Sequence, residues 1–173
     1  YDVSLALTKN AAVVGNDLDA NDKRLYVITG ANQGGKSTFL RSMGQVQLMA
    51  QCGMFVGADS FSAPIRRGVF SHFKKEEDTA MRSGKLEEEL ARMSEAADHL
   101  EGGALMLFNE SFAATNEREG SEICRQITKA LIENDVEVFS VTHLYPYAVA
   151  FLGDKQTQFL RAQRLDSGER SFK

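Results

Sequence analysis

Residues 30–37 read Gly30-Ala31-Asn32-Gln33-Gly34-Gly35-Lys36-Ser37. They satisfy G-x-x-x-x-G-K-[ST] at every fixed position. Glycines at these places let backbone N–H groups turn inward around anionic oxygens. A helix starting beside them adds the partial positive charge of its N-terminus. Lys36 can reach the β- and γ-phosphates of a nucleotide, and the Ser37 hydroxyl can ligate Mg²⁺. Thr38 brings a further hydroxyl to the same pole. Out of context, the pattern is a glycine-rich turn with a Lys-Ser pair. Here an apolar run precedes it and a helical pattern follows, which is the setting phosphate binding needs.

Two further positions suit the same chemistry. Asn109-Glu110 follows the apolar run Ala104-Leu105-Met106-Leu107-Phe108. An oxygen-bearing side chain at such a strand end helps hold Mg²⁺, and Glu110 is placed to act as the base toward water. Asn109 carries no charge, so its amide oxygen would act through a metal-bound water or on Ser37. Thr142-His143 closes another apolar run, and His143 is placed to meet a γ-phosphate or the attacking water. His72 and His99 have no such context and read as packing or surface residues. Neither a Ser-His-Asp set nor a glycosidase-type carboxylate pair can be argued from these residues.

The elements that must position these groups alternate between strand and helix. Leu25–Thr29 reads as a buried strand, and residues 36–52 as a helix with Phe39, Met43, Val46 and Met49 recurring at helical spacing. Gly53 is a natural stop for that helix. Residues 69–73 read as a strand, followed by a charged stretch from Lys74 to Arg82. Residues 85–100 read as a helix whose apolar face is Leu86, Leu90, Met93, Ala97 and Leu100, with Glu87, Glu88 and Glu89 near its positive pole. A strand over 104–108, a helix over 117–134 and strands over 136–142 and 156–162 complete the pattern. Apolar strands alternating with helices predict an α/β fold: a mostly parallel sheet in three layers with flanking helices, of the P-loop NTPase class.

Composition sets the bounds. The 173 residues are 43% hydrophobic and 25% charged, ordinary for one soluble domain. A net charge of -4 argues against a free-standing nucleic-acid binder. The doublets Arg66-Arg67 and Lys74-Lys75 read as solvated faces beside Glu76, Glu77 and Asp78. Cys52 and Cys124 lack metal-site spacing and read as reduced, buried thiols. No apolar run is long enough for a membrane span, and a cytoplasmic setting is expected. The chain opens on Tyr1 without an initiator Met and reads as a fragment of something longer.

Together the motifs resemble the MutS family of mismatch-repair ATPases. Gly30 to Arg41 resembles that family's phosphate loop, which runs G-P-N-M-G-G-K-S-T. Asn109-Glu110-Ser111-Phe112-Ala113-Ala114-Thr115 resembles its D-E-x-x-x-G-T segment, and Val141-Thr142-His143 its A-T-H. Residues 92–100 resemble its helix after the signature region, and Val14 to Leu18 its run before the central strand. Order and spacing agree over residues ~25 to ~145.

The resemblance implies an ABC-type P-loop ATPase domain over residues 1–173, using ATP and Mg²⁺. It implies a homodimer formed through the ATPase face, with Thr115-Asn116 toward the partner. It also implies DNA contact through N-terminal domains not included here, and a further C-terminal pairing part. Three departures point to a divergent branch with slow hydrolysis. Asn109 replaces the family's Asp. Glu87 and Glu88 stand where a Ser-Thr pair reaches the partner's γ-phosphate, with Ser83-Gly84-Lys85 just upstream. Val13 or Val14 stands nearest to where an aromatic residue stacks on adenine. Two other readings stay open: a clamp that holds ATP without turning it over, and a small-molecule kinase, for which no Arg-rich lid segment is evident.

Overall fold

The structure, a computed structural model, describes residues 2–8, 13–74, 84–163 and 171–172. Lys75 to Ser83, which hold most of the expected charged stretch, lie outside them. The elements run α1 (Val3–Ala6), β1 (Leu25–Thr29), α2 (Lys36–Gln51), β2 (Val69–Phe73), α3 (Lys85–Ala97), β3 (Leu105–Asn109), α4 (Glu117–Glu133), β4 (Glu137–Val141), α5 (Tyr145–Ala150) and β5 (Thr157–Arg161). The five strands form one sheet in the order β2-β3-β4-β1-β5, and every pairing is parallel. The expected α/β class is therefore observed, and the sheet is parallel throughout.

Alternation along each strand divides the core in two. Leu25, Val27, Met106, Phe108 and Val138 face one layer, built from Met93 of α3, Cys124 and Leu131 of α4, and Tyr147 and Ala148 of α5. Tyr26, Ile28, Leu105, Leu107, Phe139 and Val141 face Leu40, Phe39 and Met43 of α2. Both sheet faces are covered, which is why these strands read as continuous apolar runs. Tyr26 stacks on Phe139 with centroids 4.2 Å apart. Phe108 and Phe112 are fully buried; each such side chain contributes about 1.5–3 kcal/mol relative to exposure.

Helix α4 shows how its residues specify its start. The Asn116 side chain accepts from the Glu119 N–H at 2.9 Å, while its own amide and the Thr115 hydroxyl donate to the Glu119 carboxylate. The cap satisfies one backbone donor that the first helical turn leaves open, and the side-chain bonds hold it in place.

Several expectations need correction. The buried seam of α3 runs through Leu86, Glu89, Met93 and Ala96, and Leu100 beyond the helix also packs against the core. That is a 3-4-3-4 spacing, which turns Leu90 and Ala97 toward solvent. The carboxylate at Glu89 disguised the stripe. Both of its oxygens are buried, and burial pushes its pKa up. Arg66 is not a solvated charge. It is buried in a 2.7 Å ion pair with Glu137, whereas Arg67 is exposed and meets Glu101 at 3.0 Å. Cys52 is exposed; Cys124 is buried, and loss of solvent pushes its thiol up to about 12. No helix among the described residues is long and apolar enough to cross a membrane.

Candidate functional site

The sheet order creates the site. From β1 the chain crosses to the far edge, returns through β3 and β4, and ends beside β1 again at β5. Such a reversal opens a crevice at the carboxyl ends of the strands. Gly30 follows β1, Asn109 and Glu110 end β3, and Thr142-His143 follow β4, so all three motifs converge on that edge.

The phosphate loop bends through three left-handed residues: Gly30 at φ 119°, Gln33 at φ 61° and Gly35 at φ 87°. This curvature gathers backbone N–H groups on the inner side. Gly35 is the N-cap of α2, so the loop opens directly onto the helix pole. Lys36 is buried, and its ammonium donates to the carbonyls of Gly30 at 2.9 Å and Ala31 at 3.0 Å. The cation thus lies folded across the loop that an anion would enter. Asn32, Gln33 and Ser37 are exposed, Ala31, Gly34 and Thr38 half-buried. The Ser37 hydroxyl donates to Asn109 Oδ1 at 2.8 Å. This bond joins the start of α2 to the end of β3.

These donors fit a hard cation. Both offer oxygen, the ligand atom Mg²⁺ takes, and such a site leaves most positions to water and phosphate. Among the described residues no cluster of three His, Cys, Asp or Glu could hold a metal ion. Ser37, with Asn109 behind it, is the oxygen pair that could face a cation here.

Glu110 and His143 come together across the crevice, with Oε2 3.6 Å from Nδ1. The Glu110 N–H donates to the Val141 carbonyl at 2.8 Å, which ties the end of β3 to β4. After β4, the Thr142 hydroxyl accepts from the Leu144 N–H at 2.9 Å. That local turn leads the chain out of the sheet, and His143 is exposed there.

The turn carrying Glu110 is strained. Glu110 at φ 54° and Phe112 at φ 60° are both left-handed. Each costs on the order of 1–3 kcal/mol and persists only where the surroundings enforce it. Phe112 is driven there by complete burial of its ring, and α4 supports the turn through Gly120. A Cβ added at Gly120 would lie 2.2 Å from the Phe112 carbonyl oxygen. Gly120→Ala is expected to destabilise the protein by about 1–3 kcal/mol, although alanine is the better helix former. Chemical denaturation reads this directly, and an unchanged midpoint would show that α4 yields without cost.

Sequence reasoning missed the support around this turn. A glycine inside a helix was the available signal for Gly120. His72 is a packing residue, as expected, yet it is also hydrogen-bonded at both ring nitrogens. His99 is exposed. Of the residues aligned with the dimer-facing signature, Glu87 and Glu88 occupy the first turn of α3, and Ser83 lies outside the described residues.

Comparison with known proteins gives this geometry a family. A family model described as MutS domain V matches residues 26–164. The chain is 31% identical over 140 residues to an Endonuclease MutS2 of Streptococcus equi subsp. equi, covering 80% of this chain and 18% of that protein. It is 35% identical over 136 residues to an Endonuclease MutS2 of Lacticaseibacillus casei, covering 78% and 17%. It is 33% identical over 123 residues to a DNA mismatch repair protein MutS of Thermotoga maritima, covering 71% and 16%. The chain therefore spans less than a fifth of the length of these relatives. The matched region holds all of the convergent motifs, and the chain belongs to the MutS family through its domain V, the ATPase domain.

Proposed function

We propose that residues 1–173 form one ABC-type ATPase domain of a divergent MutS-family protein, which binds and hydrolyses MgATP. The observation that carries the reading is the meeting of Glu110 and His143, 3.6 Å apart, on the sheet edge that also holds the phosphate loop. Gly30 to Ser37 and Thr38 bind the phosphates. Lys36 leaves the Gly30 and Ala31 carbonyls and pairs with β- and γ-oxygens. Ser37, with Asn109 acting through a bound water, would hold Mg²⁺, which would supply positive charge beside those oxygens. Glu110 orients or deprotonates water for in-line attack on the γ-phosphorus. His143 contacts the γ-phosphate and reports its presence.

The chain works as a homodimer through its ATPase face, with DNA contacted by other parts of a longer protein. ATP stabilises the paired state, and its hydrolysis shifts the population toward separation. This couples nucleotide to the DNA clamp. The relatives named DNA mismatch repair protein MutS support a role in DNA repair.

A second reading has its own observation. Asn109 supplies no negative charge at the metal, and Glu87 and Glu88 would repel a triphosphate across a dimer. Both favour a clamp that holds ATP without hydrolysis. The test is the MgATP hydrolysis rate per subunit as protein concentration rises. A rate that climbs with concentration is the expected result and means a composite site. Tight binding with background hydrolysis at every concentration would overturn hydrolysis in favour of the clamp.

A further inference from the structure

Beneath the Glu110 turn lies a buried polar link that the mechanism above does not use. Ser111 Oγ lies 2.8 Å from His72 Nδ1 and 2.7 Å from the His72 carbonyl oxygen. His72 Nε2 lies 3.0 Å from the Glu89 carbonyl oxygen on α3. The ring is 2% exposed, stacked on Phe112 at 5.1 Å and edge-on to Phe108 at 6.1 Å.

Counting protons fixes the orientation. A carbonyl only accepts, so Nε2 carries the proton directed at Glu89. Burial lowers the His72 pKa, so the ring is neutral near pH 7 and Nδ1 is an acceptor. The single Ser111 proton then has two acceptors, Nδ1 and the carbonyl, and both belong to His72. Whichever it takes, Ser111 is held to His72.

Ser111 stands between the two left-handed residues of the strained turn. One end of the turn is tied to β4 by the Glu110 N–H, and the other rests against Gly120. Its middle is fixed by His72. Strand pairing reinforces this, because His72 sits opposite Phe108 in the β2–β3 register.

We propose that His72 is a positioning residue for Glu110, holding the turn to β2 through Ser111 and to α3 through the Glu89 carbonyl. The proposal rests on the reading of Glu110 as the group that orients water. His72 touches no reacting atom; it sets where the carboxylate stands.

The test compares His72→Phe, Ser111→Ala and the double variant of the full chain. Phenylalanine keeps the ring packing and removes both ring hydrogen bonds; alanine at Ser111 is the milder change should the first fail to fold. Each single variant is expected to lower kcat for MgATP about tenfold or more, with KM changed less than about twofold. The double variant should lose less than the sum of the two single losses, because both remove the Nδ1–Oγ contact, while the bonds to the residue 72 carbonyl and to the Glu89 carbonyl are each lost in only one of them. Amide hydrogen exchange at Glu110, Ser111 and Phe112 should rise in the variants, while that of Val27 and Val138 in the central sheet stays unchanged. An unchanged kcat beside a measurable wild-type rate, additive losses, or exchange rising equally across the sheet would each overturn the proposal. If the unmodified chain shows no turnover, the hydrolysis reading fails alone, and local exchange at the turn still decides the role of His72.

Discussion

Lys36→Ala is expected to weaken MgATP binding at least about a hundredfold, equivalent to about 2.8 kcal/mol. The position of the Lys36 ammonium sets the size of this effect. It is buried within the loop and donates to two loop carbonyls. A triphosphate entering the loop offers it charged oxygens in place of neutral ones, and charge-assisted hydrogen bonds are about twice as strong. Alanine removes that exchange and leaves the β- and γ-phosphates facing only backbone dipoles. The fold should be less affected, because Gly30 and Ala31 are only half-buried and water can reach their carbonyls. Calorimetric titration with MgATP, beside a melting curve, separates the two effects. Unchanged affinity in a folded variant would remove the phosphate-loop assignment.

Glu110→Gln carries the other large effect. Turnover should fall by about 10²–10⁴, while MgATP affinity stays near that of the unmodified chain. The substitution is nearly isosteric, keeps the backbone bond from residue 110 to Val141, and leaves a polar group facing His143. It removes only the capacity to take a proton from water. Single-turnover phosphate release measures this. Retained turnover would exclude Glu110 as the base, and a wild-type rate as low as the variant's would identify the non-hydrolysing clamp.

Much of this arrangement was legible in the chain, and the failures have physical causes. Strands β1 and β2 fell on their expected residues because apolar runs bounded by turn residues leave little choice. The convergence of residues 30–37, Glu110 and His143 followed from parallel strands, whose carboxyl ends share one edge. Their 3.6 Å approach did not follow, since it depends on β4 lying between β1 and β3. The seam of α3 was misread because periodicity reasoning treats a glutamate as an outward residue, and Glu89 points in. Helix α5 went unread because it is six residues long and carries Pro146 near its start. The role of His72 was invisible for another reason. Its partners Ser111 and Glu89 are distant in sequence; the β2–β3 pairing brings Ser111 within reach, and the packing of α3 on β2 brings Glu89.

The strand order also has a consequence for biosynthesis. β1 is made before the other four strands, yet Leu25 pairs with Val138 on one side and Thr157 on the other. Both partners are synthesised more than a hundred residues later. Until then the strand that bears the phosphate loop has two open edges and no sheet to enter, a condition that invites association with other chains. Within this domain the candidate nucleotide pocket is thus among the last features to form. A nascent chain halted before β5 would have made every residue named in the chemistry and still lack the neighbour that closes one side of β1.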